Sequence, residues 1–96
     1  YGIALRNTDE DFFYATGAAV EIVKDSLKYP SNSIFQEQGD MSVYYKSTQG
    51  IYTVQGYVLA SNGFGVREEK DFTARFKLRF VDNGNLFTWY DVQLII

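Results

Sequence analysis

The first quarter of the chain has a helical pattern of apolar residues. Within residues 12–27 these residues recur at three- and four-residue steps, which is typical of a helix with one buried stripe. Thr8 is a candidate N-cap, and the acidic residues 9–11 suit the positive end of a helix dipole. Pro30 disfavours helical geometry at the residue before it, so we expect the helix to end near Lys28.

The rest of the chain alternates between apolar and polar residues, which predicts strands. Turn signals at residues 47–50 and 61–65 separate the alternating runs. The strands predicted in this way are residues 41–47, 51–60, 71–81 and 86–96. Because 96 residues suit a single domain, we predict one α+β domain over residues 1–96. In it one N-terminal helix packs on a four-stranded antiparallel sheet.

The last hairpin contains a conflict between its turn and its strands. Asn83-Gly84 favours a two-residue turn, which would put Phe76 opposite Asp91. A three-residue loop at 83–85 instead keeps Asp91 away from Phe76. We predict this loop, because a register shift of one residue would move every side chain of the strand to the opposite face of the sheet. That register pairs Phe72 with Ile96, Ala74 with Leu94, Phe76 with Val92 and Leu78 with Tyr90, and it sets Lys77 opposite Asp91 and Arg79 opposite Trp89.

The same patterns predict the core. On residues 71–81 the apolar side chains share one face of the strand and the basic ones share the other. The residues expected to be buried together are Phe12, Val23, Leu27, Phe35, Phe72, Phe76, Leu78 and Val92.

Composition narrows the chemistry. The chain has no Cys, which excludes disulfides and thiolate sites, and no His, the commonest metal ligand and general base near neutral pH. The acidic residues 9–11 lack the spacing of a calcium-binding loop. Glu68 and Glu69 point to opposite faces of a strand, so they do not form a carboxylate pair. Asp91 beside Lys77 suits a cross-strand ion pair rather than a catalytic acid–base pair. We therefore predict no enzymatic activity, no metal and no cofactor. The net charge of −3 argues against nucleic acid as a partner.

Two segments carry a resemblance to known proteins. The helix end at 23–35 and the strand-turn-strand at 52–78 resemble a family of small uncharacterised bacterial and prophage domains, and the likeness covers roughly residues 20–80. The matching residues are Leu27, Lys28, Pro30, Ser31 and Phe35, then Gly56, Tyr57, Val58, Asn62, Phe64 and Gly65. The resemblance implies an extracytoplasmic domain of a membrane-tethered or lipid-anchored protein, held by a segment outside this chain. Since the chain opens on Tyr1 rather than Met, we expect it to be a trimmed form.

The predicted architecture is also similar to the cystatin fold, in which an antiparallel sheet grips a long helix. Cystatins inhibit cysteine proteases with a Gln-x-Val-x-Gly loop. Residues 53–58, Thr-Val-Gln-Gly-Tyr-Val, hold similar letters in another order and inside a strand, so the similarity implies the architecture alone.

One surface is the candidate binding site. The predicted register puts basic and aromatic residues on the sheet face opposite the core, where Trp and Arg are the usual anchors of protein interfaces. The predicted binding residues are Arg75, Arg79, Phe87 and Trp89, with Phe64 at a nearby turn.

Two other interpretations of this face stay open. The N-terminal residues 3–5 or a loop could cover it, with Arg79 and Trp89 in a cation–π contact, or single-stranded nucleic acid could stack on it.

The predicted function is non-catalytic binding of a protein, an envelope component or a second copy of the chain. The alternative is a small-molecule pocket or a hydrolase site between helix and sheet.

Overall fold

One helix packs on a single antiparallel sheet, as the sequence predicts. The computed structural model describes residues 8–46, 48–81 and 86–96, with the side chains of 12–46, 48–79 and 88–96. The α+β class is confirmed, and the sheet has five strands because a short first strand joins the four expected ones. The elements are α1 Thr8–Ser26, β1 Ile34–Phe35, β2 Ser42–Lys46, β3 Ile51–Ser61, β4 Arg67–Val81 and β5 Leu86–Ile95.

Helix α1 begins at Thr8, where the sequence predicts its start, and the predicted capping side chains lie outside the described ones. It ends at Ser26, two residues earlier than expected, where the Ser26 hydroxyl donates a hydrogen bond to Val23 O at 2.8 Å. Pro30 then opens a single 3₁₀ turn, Pro30–Asn32, which leads the chain into β1. The buried side of α1 is rich in alanine, with Ala15, Ala18 and Ala19 fully buried. Such small side chains let the helix lie close to the sheet.

The strand order is β1–β3–β4–β5, with β2 also paired to β3. Strands β1 and β2 therefore share one edge of β3, and residues 36–41 cross between them. Gln36 holds this crossing, because its backbone N–H donates to Tyr57 O at 3.1 Å and its side-chain Oε1 accepts from Tyr57 N at 3.3 Å. Beneath it lies Gly56, where an added Cβ would stand 2.9 Å from Gln36 Oε1 and 3.1 Å from both Met41 Cγ and Phe72 Cζ.

The predicted core is largely correct. Val23, Phe72 and Phe76 are buried, and Leu27, Phe35 and Leu78 are partly buried and pack against them. Phe12 is only half-buried. Val92 was expected in the core and is 43% exposed, so that assignment is wrong. Buried residues that the sequence analysis did not select include Ile22, Met41, Tyr52, Val54, Val58 and Ala60.

The register between β4 and β5 changes along the pair. Ala74 pairs with Leu94, as predicted for a three-residue loop. Nearer the turn, Lys77 pairs with Tyr90 and Leu78 with Trp89, which is the register of a two-residue turn. The predicted backbone pairs Leu78–Tyr90, Lys77–Asp91 and Arg79–Trp89 are therefore wrong, and Phe76 lies between the two registers. The predicted loop itself, residues 83–85, lies outside the described residues.

A β-bulge joins the two registers. Between Arg75–Gln93 and Lys77–Tyr90, one residue of β4, Phe76, faces two residues of β5, Asp91 and Val92. Asp91 takes a φ of 53°, in the left-handed region that Asp tolerates better than most residues. The bulge explains why Val92 is exposed, because the extra residue breaks the alternation of β5 at this point.

Candidate functional site

The bulge decides which β5 side chains lie on each face of the sheet. Leu78 and Trp89 pair on the helix side, and both pack against the buried core. The prediction that Trp89 lies beside Arg79 on the opposite face is therefore wrong. Tyr90 takes that position instead, as the partner of Lys77, and it is 38% exposed.

We call the sheet surface opposite α1 the outer face. It carries the odd-numbered residues of β3 and β4 and the even-numbered residues of β2, because the core side chains have the other parity. The β2–β3–β4 pairing aligns Lys46 with Ile51 and Lys77, and Tyr44 with Thr53 and Arg75. At this end of the outer face Lys46, Arg75, Lys77 and Arg79 supply positive charge and Asp91 supplies negative charge.

The Tyr90 ring contacts two of these cations. The guanidinium carbon of Arg79 is 4.8 Å from the centre of the Tyr90 ring, and the Lys77 ammonium is 6.0 Å from it. Cation–π attraction at such distances holds the long basic side chains over the sheet. The predicted cation–π contact of Arg79 is therefore present with a different aromatic partner, one residue along β5.

Lys77 also makes an ion pair. Its Nζ lies 3.4 Å from Asp91 Oδ2, which agrees with the cross-strand ion pair that the sequence predicted. The Asp91 side chain is 65% exposed, so this pair contributes little to stability. Both residues line an open depression of the outer face, together with Ile51, Arg75, Val92 and Gln93.

The structure brings together only part of the predicted binding set. Arg75 and Arg79 are exposed on the outer face. Phe87, in β5, pairs with Phe80 of β4, and its side chain lies outside the described ones. The N-terminal residues 3–5, which were considered as a cover for this face, also lie outside the described residues.

Phe64 lies far from these arginines. It occupies the turn between β3 and β4 and is 93% exposed. Arg67, at the start of β4, precedes Arg79 by about 40 Å of extended strand. The Asn62 side chain shapes this turn, since its Oδ1 accepts hydrogen bonds from Phe64 N and Val66 N. Phe64 is therefore not a neighbour of Arg75 and Arg79, contrary to the prediction.

Sequence reasoning missed Tyr90 and Tyr44 as outer-face aromatics. Tyr44 could have been found, because it alternates with the apolar Val43 and Tyr45, which pack on the core. Tyr90 could not be assigned by alternation alone, because its face depends on where the bulge interrupts β5.

Membrane-spanning helices, metal sites and similarity to known proteins also bear on the function. In the part of the chain that the structure describes, no helix is both long and apolar enough to cross a membrane. Across the same residues, no cluster of acidic side chains has the geometry of a metal site. Comparison of the chain with protein-family models, curated proteins and solved structures found no significant match.

Proposed function

We propose that this chain is a non-catalytic binding domain and that it binds a protein through the basic end of its outer face. The observation that carries this proposal is Arg79 held 4.8 Å over the exposed ring of Tyr90, beside Arg75 and Lys77. Arg and Tyr are among the residues on which protein interfaces depend most. Here Arg79 and Tyr90 lie side by side on a solvent-exposed face of the sheet.

The charge distribution supports the same function. The whole chain has a net charge of −3, yet among the described side chains the basic end of the outer face gathers Lys46, Arg75, Lys77 and Arg79 near the carboxylate of Asp91. A local positive field on an acidic protein attracts an oppositely charged surface and orients it during the encounter. The aromatic ring of Tyr90 adds apolar area that a partner can cover.

Site-specific photocrosslinking tests this proposal. A photoreactive residue placed at Gln93, which is exposed on the outer face, should capture a defined protein. The same residue placed at Asp25, exposed on α1, should not capture that protein. Capture of a second copy of the chain from position 93 also fits the proposal, since self-association is binding of a protein.

Reconstitution with the purified captured protein completes the test. Arg79→Ala should weaken its binding at least about tenfold, because the loss of a central Arg anchor costs about 1.4 kcal/mol or more. Lys24→Ala removes an equal charge from the helix surface and should change binding less than about twofold. Equal capture from both positions, or equal effects of both alanine variants, would contradict the proposal.

The small-molecule and hydrolase alternative depends on the space between helix and sheet. In the described core this space holds mainly Ala, Val and Phe side chains, and its buried polar residue is Thr16. The Thr16 hydroxyl lies 2.9 Å from Phe12 O and 3.0 Å from Gln38 Oε1. These contacts satisfy it locally and do not favour that alternative. Membership of the bacterial and prophage domain family, an extracytoplasmic location and a membrane tether outside this chain stay predictions.

A further inference from the structure

We infer that the partner segment bound by the outer face is an extended, acidic stretch of protein, and that Asp91 competes with its carboxylates for Lys77. This inference rests on the proposed function and names the chemistry of the partner. It follows from the position that the bulge gives to Asp91, from the spacing of the cations on β4 and from the limited length of the basic surface.

The bulge places a carboxylate among the cations. In an uninterrupted two-residue-turn register Asp91 would stand opposite Phe76, and its side chain would point to the core face. Because Asp91 belongs to the bulge and takes a φ of 53°, its carboxylate instead reaches Lys77 Nζ at 3.4 Å on the outer face. Lys77 is thus already paired within the chain. Among the described side chains Arg75 makes no ion pair, and Arg79 contacts the neutral ring of Tyr90.

The cations have the repeat of an extended chain. Arg75, Lys77 and Arg79 are alternate residues of one strand, so their backbone positions are about 6.6 Å apart. An extended peptide with an acidic residue at every second position repeats at the same distance. Laid along β4, such a segment brings one carboxylate to each cation, and at Lys77 its carboxylate takes the place of Asp91.

A protein segment fits this surface better than a nucleic acid. The three cations span only about 13 Å of β4. Beyond Arg75 the same strand face continues to Asp71 and Glu69, whose negative charges repel a longer polyanion. A short acidic stretch ends before it reaches them, and a phosphate backbone of ordinary length does not.

Synthetic probes test the inference on the 96-residue chain. The main probe is a labelled peptide of about eight alternating Glu and Ser residues, long enough to span the three cations. Its binding is followed by fluorescence anisotropy at low ionic strength, where the Debye length is long. Comparison probes are a peptide of the same composition with its Glu residues consecutive, a Gln-Ser repeat and a short oligo-dT. We expect the alternating acidic peptide to bind most tightly.

Two single-charge variants separate competition from general electrostatics. Asp91→Asn removes the carboxylate at Lys77 and suits the same backbone conformation, since Asn also tolerates positive φ. It should tighten peptide binding about threefold, as expected when an exposed ion pair no longer competes. Asp71→Asn makes the same change in net charge on the outer face of β4, about 20 Å of extended strand from Lys77, and it should tighten binding less than Asp91→Asn does, because Coulomb attraction weakens with distance. Circular dichroism spectra of both variants serve as the control that they are folded.

Each result of these binding experiments tests one part of the inference. Equal effects of the two Asn variants, or weaker binding by Asp91→Asn, would overturn the role of Asp91. Tighter binding of oligo-dT than of the acidic peptide would replace the protein segment with a nucleic acid. If the protein captured from position 93 binds with no dependence on salt and the acidic peptides do not bind, this inference fails while the proposed function stands. If nothing is captured from position 93, the proposed function fails as well.

Discussion

Trp89 lies directly across from Leu78 in the β4–β5 pair, and both side chains pack against the core beneath the helix. The neighbouring residue Tyr90 lies on the opposite face, over which Arg79 and Lys77 extend. Two consecutive aromatic residues of one strand therefore have different roles. Trp89 contributes to the packing of the protein, whereas Tyr90 belongs to the surface through which we propose it binds.

Truncation of each ring separates these roles. Trp89→Ala should lower the free energy of unfolding by about 2 kcal/mol, because a partly buried indole is removed from the core. Tyr90→Ala should cost less than about 1 kcal/mol, since it loses only exposed cation–π contacts. Urea unfolding measures both values. A larger loss for Tyr90→Ala would contradict the assignment of the two faces.

Phe76 offers a direct test of the core. It is fully buried, and its ring stacks with Tyr52 at a centroid distance of 6.1 Å. Phe76→Ala should cost about 3–5 kcal/mol, which is a large part of the stability of a small domain. The matched control is Phe13→Ala on the helix, where the ring is 67% exposed and the loss should be within about 0.5 kcal/mol. Similar melting temperatures of the two variants would show that the core is misassigned.

Two Gly→Ala changes should have opposite signs. At Gly56 the added methyl group meets Gln36, Met41 and Phe72 at 3.1 Å or less, so Gly56→Ala should destabilise the protein by about 1–3 kcal/mol. At Gly17 in α1 a methyl group meets nothing within 4 Å, and the better helix propensity of Ala should stabilise the protein by up to about 1 kcal/mol. Thermal unfolding of the two variants compares them. A neutral Gly56→Ala would mean that residues 36–41 do not rest on this glycine.

Removal of the bulge provides a test of the strand register. Deletion of Asp91 would leave Val92 alone opposite Phe76 and restore regular alternation from Trp89 to Ile95. We expect the variant to fold with at least the stability of the parent. Deletion of Thr88 shortens the chain equally, but it would turn Trp89 to the outer face and should cost several kcal/mol. Cross-strand NOEs between β4 and β5 identify the register, and an unfolded Asp91 deletion would contradict it.

The sequence was sufficient to predict the elements whose residues alternate without interruption. The faces of β4 follow from Phe72 to Leu78, and the apolar stripe of the helix places Val23 in the core. The face of Trp89 could not be predicted in the same way, because two registers were each favourable over part of the hairpin. The turn residues favour one and Ala74–Leu94 pairing favours the other. Only the packing of both halves together sets the position of the bulge, so the sequence predicted the exposed positions of Arg75 and Arg79 but not the faces of Trp89 and Tyr90.

Both edges of the sheet are irregular. On one side, residues 36–41 separate β1 from β2, and on the other the bulge at Asp91 and Val92 interrupts β5. A strand from another molecule that added to either edge would meet an interruption after about five residues. Long strands and many aromatic residues otherwise favour aggregation by edge-to-edge pairing. The same bulge that places Asp91 beside Lys77 therefore also protects the chain from growing into an extended sheet with its copies.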